Sequence, residues 1–276
     1  MITVTMTKRF LIIAALALLV RVWVAYSEKI PLWMDEMAHG NYVAYICEHW
    51  SLPDAAFANE QLSAELGRSL KISYEHYQPP GYYILAAVFS GGSPIGARLV
   101  SVAMFMVALF FVWAASRDLV IACALSLIPG IVYATSVISN DAFLLLGSSI
   151  MFYACTKKKT WAIILGGAVL ATSKFHGVPI LAVIGIYYLV KRQPKWAMIT
   201  GVFALAGFAI TWWRWDLQKV NDAYLRILMP RLSVIGDKVS QALGTGVMHI
   251  SPFEQTEFSF FLGVVIGVIL VMKAYQ

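Results

Sequence analysis

The chain has 276 residues, of which 60% are hydrophobic and 13% charged, with a mean hydropathy of +0.72. Soluble domains carry about 25% charged residues, and no soluble fold of this length hides so much apolar surface, because it must still cover itself with polar groups. The formal net charge of +6 does not mark a nucleic-acid binder, since the cations sit in short loops between apolar runs and not along one face; lipid is the solvent this composition fits.

The first apolar run, about 10–26, follows Lys8 and Arg9. Ala25 and Ser27 weakly resemble a cleavage site, but Arg21 interrupts the run and many spans follow, so it reads as a retained first span. A long polar segment, 27–96, comes next. Inside it the run 80–90 is apolar but only about eleven residues long, with Pro79, Pro80 and Gly81 before it and Gly91, Gly92 and Pro94 after it. That is too short to span and reads as an interfacial or re-entrant helix. Six further runs follow at about 97–116, 119–138, 142–155, 161–173, 178–190 and 196–213, and a last one at about 258–272. Several fall short of the ~20 residues a perpendicular helix needs, so their ends reach into loops or the bilayer thins. The expected fold class is all-α. It is a polytopic transmembrane helical bundle of about eight spanning helices, one membrane domain over 1–276, with juxtamembrane helices in the first outer loop. Cys47, Cys123 and Cys155 show no disulfide framework or metal spacing.

Charge orients these runs. If 80–90 does not cross, then Arg117, Lys157, Lys158, Lys159, Lys191, Arg192, Lys195 and Lys273 all face the side of Lys8 and Arg9. Short loops rich in Lys and Arg belong in the cytoplasm, so both termini are expected inside. Of the 15 Asp and Glu residues, only Asp118 then lands on the cytoplasmic side. The outer face receives 27–96, a last large loop over 214–257, and two short turns, around Ser139, Asn140 and Asp141 and around Lys174 to Gly177.

The candidate site residues lie in those outer segments. Asp35 and Glu36 follow the first span, and His39 stands four residues after Asp35, on the same face of a helix. A carboxylate at a membrane boundary is costly unless paired or useful, and a general base must be a carboxylate or His held near a low-dielectric site; the plain alternative for Asp35 is a helix N-cap. Tyr74-Glu75-His76-Tyr77-Gln78-Pro79-Pro80-Gly81-Tyr82-Tyr83 combines a stiff double proline with interface-seeking aromatics, and a simple anchor would account for it. Arg98 reaches up to a phosphate or snorkels. Asp141 is a bare acid in a turn whose Asn and Asp are also ordinary turn chemistry. Lys174, with His176 beside it, sits at an outward helix end against the charge rule. An anionic partner such as a lipid phosphate would explain it, as would snorkelling to headgroups. Arg214 opens a basic, amphipathic last loop that steers an anionic substrate or binds anionic lipid.

In this order the features resemble the GT-C superfamily of membrane glycosyltransferases, nearest the branch with protein O-mannosyltransferases and the aminoarabinose transferase of lipid A. The pieces are one span leading to Asp35-Glu36 and His39, and Gln78-Pro79-Pro80-Gly81-Tyr82-Tyr83 where the family often has His-Pro-Pro-Leu-Tyr-Tyr. Arg98-Leu99, Asn140-Asp141, Thr172-Ser173-Lys174 and a last large outer loop complete the set. The usual His of the double-proline motif is Gln78 here, with His76 two residues earlier, and the family commonly has eleven or more spans.

The resemblance implies transfer of a sugar from a polyprenyl-phosphate donor to a glycan, lipid or protein acceptor on the extracytoplasmic face, inverting the anomeric centre. It makes Asp35 the general base or acceptor-positioning acid, Glu36 its support and Asp141 a second required acid. Lys174, His176, Arg98 and Arg214 would hold the donor phosphate, and His39, His76 and Tyr82 would bind substrate. No cofactor is required; a divalent cation has a place beside Asp35, Glu36 and His39, although no spacing demands one. The shorter chain points to a partner membrane subunit, and the expected location is a bacterial plasma membrane. The competing readings are a lipid-linked-sugar transporter or flippase, which needs polar groups deep in several spans, and a non-catalytic assembly partner that kept the fold.

Overall fold

The computed structural model describes residues 2–27, 34–53 and 78–216. His76, the rest of 54–77, the last outer loop beyond Asp216 and the run 258–272 lie outside the described residues, as does the side chain of Asp35. The chain divides into two compact units, Met1–Gln218 and Lys219–Gln276, and all described residues belong to the first.

Among the described residues the secondary structure is helical throughout. The helices are α1 (Ile2–Ser27), α2 (Met34–His49), α3 (Gly81–Ser90), α4 (Pro94–Ser116), α5 (Leu119–Leu127), α6 (Pro129–Ala134), α7 (Asp141–Lys157), α8 (Thr160–Ala171), α9 (Gly177–Val190) and α10 (Pro194–Asp216). Three stretches are long and apolar enough to cross a bilayer, Thr5–Ser27, Pro94–Ser116 and Pro194–Arg214, which marks a membrane protein. Their outward faces are apolar: Leu19, Trp23 and Leu205 are 64%, 67% and 71% exposed. Helix α3 has ten residues, about 15 Å of rise against an apolar core of about 30 Å, the short element its sequence predicts.

Local chemistry sets the helix boundaries. Ser93 caps α4 by accepting the Gly96 N–H, and Pro94 takes a first-turn position where no N–H is needed. Asp118 caps α5 by accepting the Val120 and Ile121 N–H groups, so the acid assigned to the basic side is a helix cap. The run 119–138, expected as one span, is broken. Leu119–Leu127 ends, Ile128 is extended (φ −61, ψ 118), and Pro129 starts a six-residue helix. Proline lacks an N–H and pushes the preceding residue out of the helical region. The turn 135–140 then leads into α7.

The helices sort charge to two ends. Phe10 stacks on Trp113 with ring centroids 4.3 Å apart, and Arg117 lies 4.0 Å over the same Trp113 ring. Lys8 and Arg9 therefore share an end with Arg117. Phe111, Tyr153 and Trp161 meet there and join the ends of α4, α7 and α8. Lys157, Lys158 and Lys159 are exposed between α7 and α8, and Lys191, Arg192 and Lys195 are exposed around the turn between α9 and α10.

At the other end two glycines allow close approach. The Gly81 N–H donates to the Thr172 carbonyl at 2.9 Å, and a Cβ there would lie 2.6 Å from that oxygen. A Cβ on Gly177 would run into the Leu170 carbonyl. These contacts seat α3 on the turn after α8 and fold α9 back tightly.

Candidate functional site

The site is built in layers at the end opposite the lysines. The lowest is the break between α5 and α6. A helix that stops leaves its last carbonyls without partners, and Arg21 of α1 fills that role. Its Nη1 donates to the Ser126 and Ala17 carbonyls at 3.3 and 3.2 Å, its Nε to the Thr135 hydroxyl at 2.8 Å. Its guanidinium lies 3.3 Å over the Phe105 ring. The side chain is fully buried, and among the described residues no carboxylate pairs with it. The negative end of α5 and the ring face stand in for one.

Above it, Arg98 and Glu36 form a buried bidentate pair. Arg98 Nε and Nη2 donate to Glu36 Oε1 and Oε2 at 2.6 and 2.7 Å, and Nη1 donates to the Ala25 carbonyl at 2.8 Å. Glu36 Oε1 also accepts the Ile138 N–H at 3.1 Å. The two side chains tie the end of α1, the start of α2, α4 and the turn before α7 to one point. Arg98 and Glu36 thus face each other, and Arg98 spends three nitrogens on protein groups.

The tyrosine pair of α3 forms the next layer. Tyr82 is fully buried; its hydroxyl accepts the Ser139 N–H at 3.1 Å and shares a hydrogen bond with Ser101 at 2.8 Å. The Tyr83 hydroxyl accepts from Asn140 Nδ2 at 3.3 Å and lies 2.8 Å from His39 Nδ1. Its ring is stacked on Tyr42 at 3.8 Å. The turn from 135 to 140 is therefore held at Thr135, Ile138, Ser139 and Asn140 by residues from α1, α2 and α3.

That turn delivers Asp141, the first residue of α7. Lys174 Nζ lies 3.1 Å from its Oδ1. Unlike the layers below, this pair is open: the side chains of Asp141 and Lys174 are 31% and 15% exposed. Burial pushes the Asp141 carboxyl upward, but the charge and hydrogen bond of Lys174, aided by His39 and His176, outweigh it and hold the carboxyl below its ordinary value. An N-terminal helix position favours the same ionised form. His176 precedes α9, within electrostatic reach of Asp141. Arg214, near the end of α10, is buried, donates to the Pro53 carbonyl at 3.0 Å and lies 5.9 Å from the Tyr42 ring.

Of the sequence candidates, Glu36, His39, Tyr82, Arg98, Asp141, Lys174, His176 and Arg214 all lie at this end. Asp35 is the second residue of α2, in its first turn beside Glu36. Three residues with central places were not read as site residues: Arg21, Tyr83 and Asn140. Arg21 carried a signal, a lone cation inside an apolar run; the other two are ordinary until their partners are known. Among the described residues no three His, Cys, Asp or Glu side chains converge as a metal-ligand set. No family model, curated protein or solved structure matches the chain.

Proposed function

We propose that the chain is a membrane glycosyltransferase that moves a sugar from a polyprenyl-phosphate donor to a glycan, lipid or protein acceptor at the acidic end of the bundle, which faces away from the cytoplasm. The observation that carries this reading is the open Asp141–Lys174 pair, with His39 and His176 acting on the same carboxylate, at the lysine-poor end of an apolar helix bundle. Such a transfer has two demands. The acceptor hydroxyl or amine needs a base, and the departing phosphate needs cations or N–H donors where its charge develops. Asp141 and Asp35 are the acids available for the first task. Lys174, His39 and His176 are the groups for the second. Glu36, Arg98 and Tyr82 are positioning residues in this reading, since their polar groups are spent on holding α2, α4 and the 135–140 turn. The lipid tail of the donor lies along the apolar helices below.

The test is sugar transfer from a labelled polyprenyl-phosphate donor by the purified chain in lipid nanodiscs. Asp35→Asn and Asp141→Asn should each abolish transfer while the protein still melts in one cooperative transition, that of Asp141→Asn at a somewhat lower temperature. Lys174→Ala should weaken use of the donor more than use of the acceptor. Full transfer by both acid variants would sink the proposal.

A transporter is the second reading, favoured by the fully buried Arg21, with which no acid pairs among the described residues. It requires that the chain in liposomes move a labelled lipid-linked sugar between leaflets without hydrolysing or transferring it.

A further inference from the structure

A helix that turns into a loop commonly places the residue after its last turn in the left-handed region, and glycine is the usual occupant because it has no Cβ to clash there. Helix α3 follows this pattern: Gly91 and Gly92 close it with φ of 58° and 83°. Three other helices do not. Arg117 after α4, Lys158 after α7 and Arg192 just past α9 hold φ of 55°, 53° and 55°. Among the described residues Trp50 is the remaining non-glycine residue in this region.

The three cations come to one end of the bundle. Phe111 and Tyr153, each near the last residue of its helix, pack with ring centroids 5.4 Å apart and bring the ends of α4 and α7 side by side. The Tyr188 hydroxyl donates to Cys155 Sγ at 3.3 Å and brings the end of α9 to the end of α7. All three cations are exposed, and so are Lys157, Lys159 and Lys191 next to them in the chain. Asp118, beside Arg117, accepts the Val120 and Ile121 N–H groups, and among the described residues no carboxylate forms an ion pair with these cations. A cation answers the negative end of a helix. Lys157 in the last turn of α7 and Lys191 capping α9 already do so from right-handed or near-helical backbone. Lys158 and Arg192 thus take a costly conformation to supply a second charge that their helix ends do not require. Trp161, Leu189 and Val190 are exposed beside them, and a tryptophan with aliphatic side chains next to lysines is the composition of the headgroup boundary.

We infer that this end of the bundle is a binding surface for the phosphate of anionic lipids, held by Arg117, Lys158 and Arg192 with Lys157, Lys159 and Lys191 around them. The apolar collar sets the cations at headgroup depth, where each is drawn to an anionic leaflet. The surface lies at the opposite end of α7 from Asp141, so it is separate from the Asp141–Lys174 site.

The experiment places the full chain in nanodiscs of phosphatidylcholine alone and of phosphatidylcholine with an equal amount of phosphatidylglycerol. Wild type should melt higher in the mixed lipid and, in native mass spectrometry after extraction, should retain phosphatidylglycerol over phosphatidylcholine. Glycine suits the left-handed backbone, so the combined Arg117→Gly, Lys158→Gly, Arg192→Gly variant should fold and should melt close to wild type in phosphatidylcholine alone. It should gain no stability from phosphatidylglycerol, and its preference for that lipid should fall about fivefold for each cation removed. The charge-conserving Arg117→Lys, Lys158→Arg, Arg192→Lys variant should keep both the gain and the preference. A wild type without the preference, a glycine variant that keeps it, or a charge-conserving variant that loses it overturns the inference. So does a glycine variant destabilised equally in both lipids, because the cations would then serve only the helix ends.

Discussion

Arg98 and Glu36 meet in a two-point grip inside the bundle, with nitrogen to oxygen distances of 2.6 and 2.7 Å and neither side chain more than 2% exposed. Removing one partner strands the other charge where water does not reach, which costs about 3–5 kcal/mol. Arg98→Ala and Glu36→Gln should each lower the thermal stability of the purified protein sharply. The double variant should lose less than the sum of the two, because the second change removes the stranded charge. Additive losses in detergent melting curves would show that the pair is not one unit.

The Asp141–Lys174 contact predicts an acid-side stability change. Asp141 is held below its ordinary value, so its contribution is complete above that value and is lost as pH falls through the lowered one. The stability gap between wild type and Asp141→Asn should therefore be present at neutral pH and close below about pH 4. Lys174→Met removes the lowering partner and should move the acid limb of the transfer rate to higher pH. A gap that is the same at every pH would contradict the assignment.

Gly81 touches Thr172 so closely that a methyl group has no room. Gly81→Ala should push α3 off the turn after α8, at a cost of about 1–3 kcal/mol, and Tyr82 and Tyr83 would move with it. Sugar transfer should drop more than stability does. Unchanged transfer would mean that the seat of α3 does not matter to the site.

Arg21 closes the broken end of α5 and holds Thr135 at the root of the turn that carries Asp141. Arg21→Ala should cost about 2 kcal/mol or more, since charged hydrogen bonds are lost and buried carbonyls are left without donors. Hydrogen exchange should rise in 126–140 before it rises in α7. Uniform exchange across both segments would argue against a local tether.

The short helix α3 was legible in advance because its flanking prolines and glycines bound an apolar run too short to span. The single run 119–138 was misread. Its hydropathy is continuous across Pro129, and hydropathy does not register the loss of a backbone donor. Asp118 was legible as an acid on the wrong side, but its task as a helix cap depends on a local backbone turn. Tyr83 and Asn140 carry no signal of their own, because the bond between them joins residues 57 positions apart.

Amino-acid order alone determines that this chain belongs in a membrane. That follows from transfer free energies summed over short stretches, which any window along the chain can read. Only the packed bundle decides that Arg98 closes on Glu36, 62 residues away, that Arg21 caps a helix it does not belong to, and that Asp141 is left open beside Lys174. Those pairings depend on which helix faces which, at what depth and rotation, and burial turns a modest polar contact into one that the fold cannot do without.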